Sequence, residues 1–171
     1  MWEEIVSSAA DESSLWGEMV REGPELEPVF SPLTEDRFAV GLETIYEGYL
    51  VHYATARLFE PSDPDTALLL GDYLYAHGLV RVAELHDVAA VADLSELISL
   101  SSQLRAEHTP GEGPLWAATA ALLGSGNGLE DARSALRLRG DSAALEQAAR
   151  TAAGDEAVDR ALAAHALRVG A

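Results

Sequence analysis

The sequence contains no cysteine, no lysine and no long apolar run. Without cysteine, the chain has no disulfide, no thiolate nucleophile and no Cys-ligated zinc site. No apolar stretch approaches the ~18 residues of a transmembrane helix, so we expect no membrane insertion. Residues 1–14 are acidic, unlike a signal peptide, and we therefore expect a cytoplasmic protein.

Basic charge is also scarce. The 29 acidic residues stand against 11 arginines, which gives a formal net charge of −18. Nucleic-acid phosphates and anionic lipid surfaces both require basic contacts, so this balance argues against either as a partner. Hydrophobic residues make up 48% of the 171 residues, which is enough for the core of one domain.

Proline positions divide the chain into helical segments. No proline lies between Asp65 and Thr109 or after Pro114, and these stretches are rich in residues that favour helix. Strand-like alternation is absent. We predict a single all-α bundle in three parts: an acidic N-terminal helix with a Pro-rich loop (1–33), core helices (34–108) and short C-terminal helices (109–171).

Capping signals predict where the helices begin. A first helix is predicted over residues 11–22. Thr34, Asp63 and Asp87 each precede a helical pattern as N-cap residues, and Pro64 takes the favoured first helical position. Further helices are predicted to begin near positions 114, 129, 141 and 155.

The helix after position 63 is apolar nearly all round, because its only formal charges from residue 66 to 83 are Asp72 and Arg81. Such a pattern predicts a central helix that its neighbours cover. Glycine pairs seven residues apart mark this helix and the one before it, and we expect them to let the two backbones approach closely. The pairs are Gly41 with Gly48 and Gly71 with Gly78.

Two short motifs flank the loop between these helices. Leu50-Val51-His52 ends the first, and Leu70-Gly71-Asp72-Tyr73-Leu74 lies in the second. Over residues 38–107 the chain resembles the front half of trans-prenyl diphosphate synthases, in which the same motifs enclose an aspartate-rich DDxxD sequence. The resemblance implies a helical bundle like a truncated isoprenoid synthase fold.

The aspartates of that family are missing here. Tyr53-Ala54-Thr55-Ala56-Arg57 stands in their place, and these side chains cannot hold the Mg²⁺ ions that stabilise a leaving pyrophosphate. The family's diphosphate-binding Gly-Lys-Arg motif is also absent, since the chain has no lysine. We therefore expect no catalysis and no cofactor. The degenerate former active-site face is predicted to comprise Tyr49, His52, Tyr53 and Arg57.

The resemblance implies a role beside a catalytic chain, as the non-catalytic small subunit of a heteromeric long-chain prenyl diphosphate synthase in isoprenoid or quinone side-chain biosynthesis. In the family, the two helices after the aspartate motif make the dimer interface. Unpaired, that surface is expected to be an exposed apolar patch, and without a partner we expect a homodimer through it. The predicted contacts are Tyr75, Gly78, Leu79, Val82, Leu94, Leu97, Ile98 and Ser101.

Two alternatives stay open. A homodimeric pseudoenzyme would bind an isoprenoid or another lipid in an apolar cavity beside Tyr49 and Tyr53, although such tyrosines are more often ordinary core. A metal-dependent enzyme would use relocated ligands at Asp155, Glu156 and Asp159, although first-turn carboxylates more often complement a helix dipole.

A polar stripe runs along the second core helix. Tyr73, His77 and Arg81 recur every four residues, so they share one side. Such a stripe faces a partner or a diphosphate, or it is a solvated surface or a polar seam between helices of the same chain.

Overall fold

The computed structural model describes residues 1–23, 26–126 and 128–170. Within them the chain is all-α, as predicted, and the strand content is limited to one isolated bridge between Val20 and Phe59. A short 3₁₀ helix spans Ser31–Leu33. The α-helices are α1 Trp2–Glu12, α2 Ser14–Glu18, α3 Asp36–Tyr53, α4 Pro64–Ala83, α5 Val88–Glu107, α6 Glu112–Leu122, α7 Glu130–Arg139, α8 Ala143–Ala153 and α9 Asp155–Val169.

Two of the three predicted N-caps are confirmed. The Asp63 carboxylate accepts a hydrogen bond from the Thr66 backbone N–H (2.9 Å), and Asp87 accepts one from Ala90 (3.0 Å). The prediction for Thr34 is wrong, because the preceding 3₁₀ turn takes up its backbone N–H and the helix begins one residue later.

The predicted first helix over residues 11–22 is also wrong. Helix α1 already begins at Trp2, because Ile5 and Ala9 lie one turn apart and are both buried against the core. Ser13 then interrupts the helix and caps α2 by accepting a hydrogen bond from the Leu15 backbone N–H (3.2 Å). After α2, the chain runs extended beside residues 58–60.

Helix α3 is the centre of the fold, and every residue from position 41 to 51 is buried. Helix α4 returns antiparallel along it, and the predicted close approach is confirmed. A Cβ added at Gly41 would lie 3.2 Å from the carbonyl oxygen of Gly78, and one added at Gly48 would lie 3.0 Å from that of Gly71. Larger side chains at these positions would push the two backbones apart.

The prediction that α4 is covered on all sides is wrong for the single chain. Leu68, Leu69 and Val80 are 55%, 59% and 55% exposed. They lie on the side of α4 that faces away from α3, which is the helix that occupies the centre instead. Helix α4 therefore has an apolar side that this chain leaves uncovered.

The C-terminal helices close the other side of α3. Helix α6 packs against α8 and α9, while α7 is tied to α5 by ion pairs of Arg133 with Asp93 (2.9 Å) and of Arg137 with Glu96. The predicted helix starts near 129, 141 and 155 are confirmed, and α6 begins two residues before Pro114. None of the helices in the described ranges is long and apolar enough to cross a membrane.

Candidate functional site

Arg57, which stands where the resembling family has its last aspartate, is fully buried. Its Nη1 donates to Glu43 (2.7 Å) and its Nε donates to Glu47 (3.0 Å), and both carboxylates are also fully buried. The second oxygen of Glu47 accepts the backbone N–H groups of Arg57 (2.8 Å) and Leu58 (2.7 Å). Arg57 thus anchors the loop after α3 to the helix itself.

The second oxygen of Glu43 completes this network from another segment. It accepts the backbone N–H groups of Val29 (3.1 Å) and Ser31 (3.0 Å). The Arg57 guanidinium also lies over the rings of Trp2 (4.9 Å) and Tyr46 (5.0 Å). Buried charges require such complete pairing, because an unpaired one costs several kcal/mol. The network holds together α1, α3, the segment before the 3₁₀ helix and the loop after α3.

Tyr49 lies on the opposite side of α3, in a polar cluster with α5 and α6. Its hydroxyl donates to Glu112 (2.7 Å) and accepts from Arg105 Nε (3.0 Å) and Nη2 (2.6 Å). Arg105 and Glu112 also form an ion pair of 2.7 Å. Burial raises the pKa of Glu112, and the hydrogen bond from Tyr49 opposes that rise.

The space beside Tyr49 is filled by aromatic rings. The ring centroids of Tyr46, Tyr53, Trp116 and His165 lie 5.3–5.9 Å from that of Tyr49. His165 Nδ1 lies 2.9 Å from the Tyr46 hydroxyl, and burial lowers the pKa of His165 to about 4. In the described part of the chain these rings occupy the space in which a lipid next to Tyr49 would lie, so a lipid ligand would have to bind elsewhere.

Of the remaining residues of the predicted face, His52 and Tyr53 lie near Tyr49, whereas Arg57 does not. His52 packs against α4, with Nε2 3.2 Å from an Asp72 oxygen, and burial lowers the pKa of His52. Tyr53 lies at the surface, where its hydroxyl donates to Ser102 (3.2 Å). Helix α3 ends at Tyr53, and the turn that follows directs Arg57 back toward the core. The Tyr53 ring lies 5.4 Å from that of Tyr49 and 5.5 Å from that of His52, so these three predicted residues lie together and only Arg57 lies apart from them.

The residues predicted to form a partner interface lie mostly inside the chain. Leu79 and Ile98 are half-buried, and the other six are buried: Tyr75, Gly78, Val82, Leu94, Leu97 and Ser101. The expectation that they form an exposed apolar patch is wrong, because these positions face the helices of their own chain. Gly78, for example, meets the backbone of α3. The partner interface itself stays a prediction.

The polar stripe of α4 is a seam within the chain. The Tyr73 hydroxyl donates to the Ser8 carbonyl (3.2 Å), and Arg81 donates to the Ser8 hydroxyl (2.7 Å) and pairs with Glu4. The N-terminal helix α1 therefore covers this side of α4.

The three acidic residues at the start of α9 are exposed and lie close to arginines. Arg150 contacts Asp155 (3.5 Å) and Asp159 (2.7 Å), and Arg160 contacts Glu156 (3.0 Å). Over the described ranges, no group of three or more His, Asp or Glu side chains is arranged to hold a metal ion. The relocated-metal hypothesis has not been tested.

Sequence reasoning missed Glu43, Glu47, Arg105 and Glu112. A signal for the first two was present, because two glutamates four residues apart on an otherwise apolar helix need a buried cation. No local pattern connects Arg105 or Glu112 with Tyr49, since these contacts span 56 and 63 residues.

No protein-family model matches the chain, and no curated protein or solved structure shows a significant similarity to it. The resemblance to prenyl diphosphate synthases therefore stays a prediction from the motifs at residues 50–52 and 70–74.

Proposed function

We propose that the chain is a non-catalytic helical subunit that pairs with a catalytic prenyl diphosphate synthase and regulates the length of its product. The observation that carries this proposal is the position of Arg57. Where the family has a metal-binding aspartate, this chain has a buried cation that pairs with two buried glutamates. A metal-binding position that has become part of the core supports a structural and regulatory role rather than chemistry.

The uncovered side of α4 supports the pairing part of the proposal. A helix that is apolar nearly all round normally has neighbours on all sides, whereas among the described residues Leu68, Leu69 and Val80 on one side of α4 stay more than half exposed. An exposed apolar surface of this kind usually contacts another protein.

Mixing the chain with a prenyl diphosphate synthase from the same organism tests the proposal. We expect no product from this chain alone, a mixed complex by size-exclusion chromatography and longer products from the mixture. The matched control is the same synthase mixed with heat-unfolded chain. Product lengths that stay unchanged in a mixture without complex would contradict the proposal.

A lipid-binding role is a second candidate, because a groove lies between α9 and the segment before the 3₁₀ helix. Its volume is about 540 Å³, and Val29, Ala164 and Leu167 supply apolar lining beside Arg160 and Arg168. Binding of a single-chain lipid there would raise the melting temperature. Ala164→Trp, which fills the groove, would abolish that increase, whereas an increase retained by the variant would exclude this site.

A further inference from the structure

The outward side of α4 differs in composition from the rest of this acidic protein. Leu68, Leu69, Ala76 and Val80 are exposed and lie on one side of the helix, because a rotation of ~100° per residue places them within an arc of about 120°. The exposed Asp72 lies on the same side, one turn from Leu68 and from Ala76. This outer α4 stripe is about 18 Å long at a rise of ~1.5 Å per residue. It presents two leucines and a valine that are each more than half exposed.

The stripe continues onto the start of α5. Val88, the first residue of that helix, is 82% exposed. A depression of about 310 Å³ lies beside it, lined also by Ala83, His86 and Val91. An apolar stripe that ends at a small depression has the form of surfaces that receive a helix, where one side chain fills the depression and others lie along the stripe.

Charges around the stripe indicate what kind of helix fits. The formal charges of α4 are Asp65, Asp72 and Arg81. Arg81 is turned away toward α1, where it pairs with Glu4. Asp65 and Asp72 are exposed, as is Glu84 just after the helix. Asp65 and Asp72 lie on the same side of α4 as the stripe, and together with Glu84 they form an acidic rim along and beyond it, which complements basic residues on a partner.

The same charges disfavour a second copy of this chain as the occupant. Each copy has a formal net charge of −18, and acidic rims would face each other across an interface of two α4 stripes. Like charges placed opposite one another across an interface cost several kcal/mol. An amphipathic helix with lysine or arginine beside its apolar residues would complement both the apolar stripe and its acidic rim.

We infer that the outer α4 stripe, with Val88, is a docking surface for an amphipathic helix of another chain whose apolar residues are flanked by basic ones. This inference deepens the proposed function, on which it rests, because it names the surface and the chemistry of the partner. It replaces the inward-facing residues that the sequence predicted as contacts.

The test uses a fluorescently labelled 18-residue helical peptide with a leucine stripe flanked by lysines, and measures its anisotropy with the full chain. We expect saturable binding to the native chain. The double variant Leu69→Asp with Val80→Asp is expected to bind at least tenfold more weakly. Because this variant adds negative charge, a purely electrostatic attraction of the peptide would increase, so a loss of binding identifies an apolar contact.

The matched control is Leu138→Asp, which places a carboxylate at an exposed leucine on α7, away from the stripe. This control is expected to bind the peptide like the native chain, and a peptide with glutamates in place of lysines is expected to bind at least tenfold more weakly. All replaced residues are exposed, and circular dichroism checks that each variant is folded. Equal binding by the native chain and the α4 variant, or no binding by either, would overturn the inference.

Two further readouts separate the possible occupants. Sedimentation of the chain alone is expected to give a monomer, and a dimer that Leu69→Asp with Val80→Asp dissociates would show that the occupant is a second copy.

The variant Leu69→Asp with Val80→Asp is also mixed with the synthase. If this variant still lengthens the products of the synthase, the docking surface is wrong and the proposed function stands. Peptide binding without any effect of the native chain on the synthase would leave the surface established and the proposed function wrong.

Discussion

Replacement of Arg57 by methionine tests whether the buried charge network stabilises the fold. The change removes the cation but leaves the Glu43 and Glu47 carboxylates fully buried with only their backbone N–H partners. Removing one partner of a buried ion pair typically costs about 3–5 kcal/mol. Domains are stable by about 5–15 kcal/mol, so we expect the variant to fold with a greatly reduced free energy of unfolding.

Urea unfolding followed by circular dichroism measures this loss. With a denaturant slope of about 2 kcal/mol/M, a loss of about 4 kcal/mol lowers the midpoint by about 2 M. Arg160→Met is the matched control, because Arg160 and Glu156 form an exposed pair on α9 that contributes at most about 0.5 kcal/mol.

A triple variant separates lost charge pairing from lost packing. Adding Glu43→Gln and Glu47→Gln to Arg57→Met removes the unpaired charges but keeps oxygens that accept the backbone N–H groups. We expect this triple variant to recover most of the lost stability. A loss below about 1 kcal/mol for Arg57→Met alone, or no recovery in the triple variant, would refute the reasoning.

Three further predictions concern other parts of the fold. Gly78→Ala is expected to lower stability by about 1–3 kcal/mol, because the new Cβ would lie 2.5 Å from Ile45 Cγ1, and a stabilised variant would contradict the close approach. Burial lowers the pKa of His165 to about 4 in the folded state, whereas the same histidine has a pKa near 6.5 in the unfolded state. Between these two pH values the unfolded state binds more protons, so the free energy of unfolding falls as the pH falls from 6.5 to 4. Urea unfolding measured from pH 7 to pH 4 should show that the free energy of unfolding falls by roughly 3 kcal/mol, and that the fall is smaller in His165→Gln. An equal fall in both proteins would count against this assignment. Asp63→Ala is expected to lower the melting temperature, because the Thr66 backbone N–H loses its capping partner, and an unchanged melting temperature would show that the cap contributes nothing.

The helix pattern could be predicted from local sequence because its causes are local. Asp63 and Pro64 begin α4, Asp87 begins α5, and the glycines at 140 and 154 separate the last helices. Each of these signals acts within one helical turn. The errors arose where two local signals competed, as at Ser13, which ends α1 and caps α2 instead of lying inside one helix over residues 11–22.

The candidate site was less predictable because its contacts are distant along the chain. The contact of Tyr46 with His165 spans 119 residues, and no spacing rule connects the two positions. Arg57 lies close enough to Glu43 and Glu47 for pairing to be considered, yet the direction of the turn after α3 decides that it points inward. Sequence alone placed Arg57 on a surface with Tyr49, and the fold puts the two on opposite sides of α3.

The sequence by itself determined the helical class, the positions of the main helices and the close contact of α3 with α4 through paired glycines. These follow from backbone preferences and from side-chain size. Only the tertiary structure decided that α3 rather than α4 occupies the centre, since burial depends on how many neighbours surround a helix. The apolar pattern of α4 shows that it is suited to being covered, and the packing of the whole chain decides which side remains open.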